Sequence, residues 1–139
     1  MADRPSGEFK ESAVAYRTER PFPALLDASR PVSRAANRLE PYLRAIVDEI
    51  HPEKIVLFGS YAYGEPRWDS DFDLLVVRSN ITSEKASVME IFRSLRKVEG
   101  VPPSFTILSK TPEFISRRLA EGSPLYREIL EKGLELYAT

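Results

Sequence analysis

"GSYAYGEPRWDSDFDLLVV", residues Gly59–Val77, sets three aspartates within five positions directly ahead of an apolar run. The run Phe72–Val77 alternates as a strand: Asp71, Asp73, Leu75 and Val77 fall on one face, and Phe72, Leu74 and Val76 on the other. Two carboxylates therefore begin the strand side by side, with Cα atoms about 6 to 7 Å apart. Like charges this close repel, so a cation is the expected third party. Just upstream, "KIVLF" (Lys54–Phe58) is an unbroken apolar run stopped by Gly59, as expected of a central strand covered on both faces.

The segment between the two strands narrows the chemistry. Gly59-x4-Gly64 is not a P-loop, because Glu65 and Pro66 stand where Lys and Ser/Thr would be required. Asp69-x-Asp71-x-Asp73 is not a calcium loop, because Leu74 takes the glycine position and Asn80 the place of the bidentate Glu. What remains is a strand ending in Gly59-Ser60, a short turn, a loop carrying Pro66 and Trp68, and a strand opened by Asp-x-Asp. That arrangement suits a nucleoside triphosphate: backbone N–H groups and the Ser60 hydroxyl cradle phosphates, and the carboxylates hold Mg²⁺ against them.

Helical spacing of Val32, Ala35, Leu39, Leu43, Ile46 and Ile50 predicts a helix ending near His51-Pro52, with Pro41 kinking or restarting it. Val88, Ile91, Phe92, Leu95 and Val98 predict a second, opened at Thr82–Glu84 and closed by Gly100. "SFTIL" (Ser104–Leu108) predicts a third strand. Thr111-Pro112 and Ser123-Pro124 start two further helices, the last ending at Gly133. Residues 1–30, polar and marked by prolines, read as a flexible arm or packed-on tail without chemistry; residues 31–139 form the domain. The element order indicates a small α/β sandwich with at least three strands.

Among 139 residues, 42% are hydrophobic, enough for one core, and the formal net charge of -1 gives no overall basic field, so no long nucleic acid is expected as a partner. The absence of cysteine excludes disulfides and thiolate metal sites. No apolar leader and no run near the roughly 18 residues of a membrane span occur, so the expectation is a cytoplasmic protein with no membrane partner.

Gly59-Ser60, ten intervening residues and Asp71-Phe72-Asp73 resemble the signature of polymerase-beta-like nucleotidyltransferases, and more narrowly of their small branch, the minimal nucleotidyltransferases. "SKTPEF" and "GSPLYREILEKGLELY" extend the likeness, which covers roughly residues 34–137. The resemblance implies an α+β fold with a small mixed sheet flanked by helices. It also implies two-metal transfer of a nucleoside monophosphate, AMP first, from a triphosphate to a hydroxyl acceptor. Asp71 and Asp73 would be the catalytic metal ligands, Mg²⁺ the cofactor, and Gly59 and Ser60 the phosphate holders. It further implies a separately encoded helical partner of the HEPN type, with this chain as antitoxin of a toxin–antitoxin pair; a homo-oligomer is left open.

Two departures stand out. Catalytic relatives carry a third carboxylate on the next strand, where this chain offers Ser104 or Thr106, and neither hydroxyl is a general base near neutral pH. The alternative is therefore a nucleotide-binding module without turnover that acts by covering its partner. Tyr63 stands where many relatives have an arginine. Other residues read as ordinary: His51 as a helix end, Trp68 as cover for the core edge with base stacking as the alternative, Tyr61 and Tyr63 as packing, and Arg117 and Arg118 as a solvated face.

Overall fold

The computed structural model describes residues 22–139. Four strands, β1 (Lys54–Phe58), β2 (Phe72–Val77), β3 (Phe105–Lys110) and β4 (Leu134–Ala138), form one sheet in the order β3-β2-β1-β4. β1 pairs antiparallel with both β2 and β4, and β2 pairs parallel with β3. Among the described residues five helices flank it: α1 (Ala36–Ile50), the single turn α2 (Ser60–Tyr63), α3 (Glu84–Leu95), α4 (Pro112–Ala120) and α5 (Pro124–Lys132). None is long and apolar enough to cross a membrane. The architecture is a mixed α+β sheet sandwiched between helices, as the sequence predicts, with β1 inside the sheet.

Strand alternation sorts the core into two layers. Ile55, Leu57, Phe72, Leu74 and Val76 point to one face and are buried with Leu39, Leu43 and Ile46 of α1 and Ile91 and Leu95 of α3. Val56, Leu75 and Val77 point to the other and meet Ile115 of α4 and Tyr126 and Ile129 of α5. Every residue of β2 is buried except Asp73. The hydroxyls of Ser83, Thr111 and Ser123 cap the N-termini of α3, α4 and α5 by accepting from Ala86, Phe114 and Tyr126 N–H. His51 closes α1 in the left-handed conformation, φ 53, its N–H donating to Val47 O, so its expected helix-end role holds. Pro41 lies inside α1, which runs through it as one helix preceded by a 3-10 turn at Pro31–Ala35.

Two differences from the expected organisation have physical causes. The stretch before residue 31, expected as a flexible arm or packed-on tail, packs on the domain from Phe22 onward: Phe22 and Leu25, at the start of and within a 3-10 turn at Pro23–Leu26, are fully buried in the α1 layer. Phe22 meets Tyr137 of β4 at 6.3 Å between ring centroids, and the Arg30 guanidinium donates to Ala62 O and Lys132 O at 3.0 and 2.9 Å. The rest of the arm, residues 1–21, lies outside the described residues. Leu25→Ala is therefore expected to cost about 2 to 5 kcal/mol in urea unfolding, where an arm residue would cost close to nothing. The second difference is β4 itself, which the chain enters directly after Gly133. A Cβ on Gly133 would sit 2.3 Å from Ile129 O and 2.9 Å from Leu57 O, so its bare backbone lets the strand start tight against α5 and β1.

Candidate active site

At the end of β1 the chain turns through Gly59, φ 74 and ψ -157, a conformation open essentially to glycine alone. The carbonyl of Gly59 accepts from Ala62 and Tyr63 N–H, and Ser60 O from Gly64 N–H, which closes α2. Gly59 is thus the N-cap of α2 and Ser60 its first residue. Tyr61 is buried and stacks on Phe72, 4.3 Å between centroids, a packing role as expected. Tyr63 is half-buried; burial raises its pKa, the Gly59 backbone offsets part of the rise, and the Glu128 carboxylate adds to it.

Directly beside this turn stands Asp73, paired with Phe58 of β1 and with Thr106 of β3. A Cβ on Gly59 would fall 1.9 Å from Asp73 Oδ2, so the carboxylate occupies the space that a side chain there would take. Asp71, exposed, lies two residues before it on the same face. The Thr106 hydroxyl donates to Asp71 Oδ2 at 3.1 Å and lies within reach of Asp73 as well. Burial raises the Asp73 pKa; the Thr106 hydroxyl lowers it and the Asp71 charge raises it. Of the two hydroxyls the sequence offers for the third acid, Thr106 is the one at the carboxylates, whereas Ser104 contributes its carbonyl, which accepts from Phe72 N–H at 2.9 Å.

Asp71, Asp73, Gly59 and Ser60 are thus gathered at one edge of the sheet, on neighbouring strand ends. Among the described residues no group of three or more His, Cys, Asp or Glu side chains is placed to hold a metal. Two carboxylates without further protein ligands fit Mg²⁺, which keeps most of its coordination for waters and substrate phosphates, better than a cation needing a full protein cage.

Trp68 does not cover the core edge. It is 88% exposed, on the loop immediately before Asp69 and Asp71. With Arg38 and Tyr42 of α1, Asp69, Ser70 and the segment Val101–Ser104 it bounds a cleft of about 510 Å³. Nothing in the sequence marks this cleft, since its walls come from three separated segments. Arg118 pairs with Glu121 at 3.0 Å and Arg117 is exposed, lying 5.6 Å over the Phe114 ring, so both belong to a solvated face.

A family model described as a nucleotidyltransferase domain matches residues 40–134, more than half of the chain. The chain belongs to this nucleotidyltransferase family. Comparison with curated proteins finds no match. The matched span holds Gly59, Ser60, Asp71, Asp73 and Thr106 and runs from α1 to the start of β4. The fold is that of the polymerase-beta-like nucleotidyltransferases, and membership supports nucleoside monophosphate transfer as the general activity.

Proposed function

We propose that this nucleotidyltransferase transfers a nucleoside monophosphate, AMP by preference, from a triphosphate to a hydroxyl of a partner protein or a small acceptor. Asp71 and Asp73 hold Mg²⁺; Gly59 and Ser60 hold the phosphates. The observation that carries this reading is the seat of the Asp73 carboxylate against the bare backbone of Gly59, with Asp71 beside it. Such contact brings a cation held by the acids within reach of phosphates resting on the glycine turn. When bound, the cation neutralises charge on the transferred and leaving oxygens. The acceptor oxygen forms its bond to the α-phosphorus, the bond to pyrophosphate breaks, and pyrophosphate leaves with the electron pair. Thr106 does not take the acceptor's proton near neutral pH, which leaves Asp71, Asp73 or water to receive it.

The partner rests on resemblance: a separately encoded helical protein of the HEPN type is the proposed acceptor, this chain being the cytoplasmic antitoxin of the pair. Incubation with ATP labelled at the α-phosphate, Mg²⁺ and the helical protein encoded beside it tests the reading. Label on the acceptor is expected, and label transfer indifferent to Asp71→Asn contradicts the site.

Thr106 in the third acid's place favours a second reading, in which nucleotide binds and turnover is slight or lost. Thr106→Asp separates the two, because it returns a base to the position facing Asp73. A gain of about a hundredfold in label transfer is expected if proton removal limits the natural protein. Equal rates in the two proteins would show that the hydroxyl costs nothing.

A further inference from the structure

Trp68 is the only tryptophan of the chain, and its indole is 88% exposed at the rim of a cleft on the far side of the carboxylates from the phosphate turn. At this sheet edge the order of strand ends is Gly59-Ser60 after β1, Asp71 and Asp73 at β2, then Ser104 and Thr106 at β3. Two strand spacings, about 9.6 Å, separate the outer members. That is the scale of a triphosphate laid across the strand ends. A nucleotide with its outer phosphates at Ser60 and its α-phosphate at the acids therefore carries its nucleoside to the head of β3. The cleft opens there, around the strand ends on the α1 side of the sheet, with Ser70, next to Asp71, and Ser104 in its lining.

The cleft suits a nucleoside in size and chemistry. About 510 Å³ lies within the range of small-molecule sites. Its walls mix an indole and prolines, which offer faces for stacking, with Arg38 as donor and Asp69 as acceptor for the polar edge of a base. A long nucleic acid would need a track of cations, and this cleft is lined by one arginine and one aspartate.

We propose that this cleft receives the nucleoside of the triphosphate, with Trp68 as the stacking platform for the base. The inference rests on the proposed nucleotide reading of the Gly59–Asp73 site and adds where the base goes. Stacking on an indole is itself tolerant of base identity, so any preference for adenine rests on Arg38 and Asp69 at the polar edge of the base.

The test uses the single tryptophan as its own reporter. ATP with Mg²⁺ quenches the emission of the full chain, whereas inorganic tripolyphosphate with Mg²⁺ binds by calorimetry and leaves the emission unchanged. Trp68→Ala, a change at an exposed position, weakens ATP about tenfold and tripolyphosphate not at all, and Trp68→Phe keeps most of the ATP affinity. ATP binding with unaltered emission and undiminished affinity in Trp68→Ala overturns the proposal while leaving the phosphate site standing. So does a Trp68→Ala protein that binds ATP normally but loses label transfer, which would give the cleft to the acceptor. If neither ATP nor tripolyphosphate binds the natural chain, the nucleotide reading itself fails and takes this inference with it.

Discussion

Asp73→Asn is expected to cut nucleotide transfer by about 10³-fold or more and, in magnesium-free buffer at neutral pH, to raise the melting temperature. The first effect follows from losing one of the two carboxylates proposed to hold the cation, whose electrostatic contribution to such transfers is several kcal/mol. The second follows from the free protein's own strain. Asp73 is half-buried beside Asp71, and burial, with the neighbouring charge, raises its pKa above the usual value despite the Thr106 hydroxyl. An acid whose pKa is higher folded than unfolded binds its proton more tightly when folded. Its penalty is absent below the unfolded value of about 3.9, grows as pH rises through the folded value and is full above it. Asparagine removes that penalty. Solvent on the open side of Asp73 screens part of the repulsion, and the gain vanishes below about pH 4. Saturating Mg²⁺ and nucleotide should stabilise the natural protein and not the variant, reversing their order. A variant that loses transfer and also melts lower at neutral pH would mean that Asp73 holds the fold together, not a ligand.

The same conflict is why the candidate site was the most legible part of the sequence. Acids at the head of a strand as apolar as β2 conflict with every local preference around them, and such conflicts are expected at functional sites. Alternation alone placed Asp71 and Asp73 on one face, and the structure keeps them there beside Thr106. The choice between Ser104 and Thr106 was not legible, because it depends on the register of two parallel strands joined through α3. The pairing of Phe72 with Phe105 settles it by setting Asp73 opposite Thr106.

The elements that escaped are short or defined by distant partners. Phe22 precedes and Leu25 belongs to a four-residue 3-10 turn, too brief to show a period, and their burial comes from α1 and from β4, which lies at the other end of the domain in sequence. "LELYA" does alternate, and Gly133 before it was a usable strand signal. Its place beside β1, with a register irregularity between Ile55 and Val56, comes from contacts that span most of the domain. Trp68, expected to cover the core edge with base stacking as the alternative, is exposed. Its exposure follows from the route of the loop, which no residue type announces.

Gly59→Ala is expected to lower stability and magnesium-nucleotide affinity together. Two costs combine. The φ and ψ of Gly59 lie where a Cβ is strained by about 1 to 3 kcal/mol. The same Cβ would stand 1.9 Å from Asp73 Oδ2 and 2.9 Å from its Cγ, so the carboxylate must swing out of its seat. Gly122 provides the control, since it also has a positive φ, 82, yet nothing lies within 4 Å of an added Cβ. Gly122→Ala should therefore show backbone strain alone and bind nucleotide normally. At Gly59 the second cost should appear as at least a tenfold loss of affinity by calorimetry, as the acids no longer share an ion with the phosphates. A double-mutant cycle isolates it: with Asp73→Ala in place, much of the clash is gone, and Gly59→Ala should destabilise less than it does alone. Additive effects would mean that the two residues do not press on each other, and the geometry on which the proposed site rests would be lost.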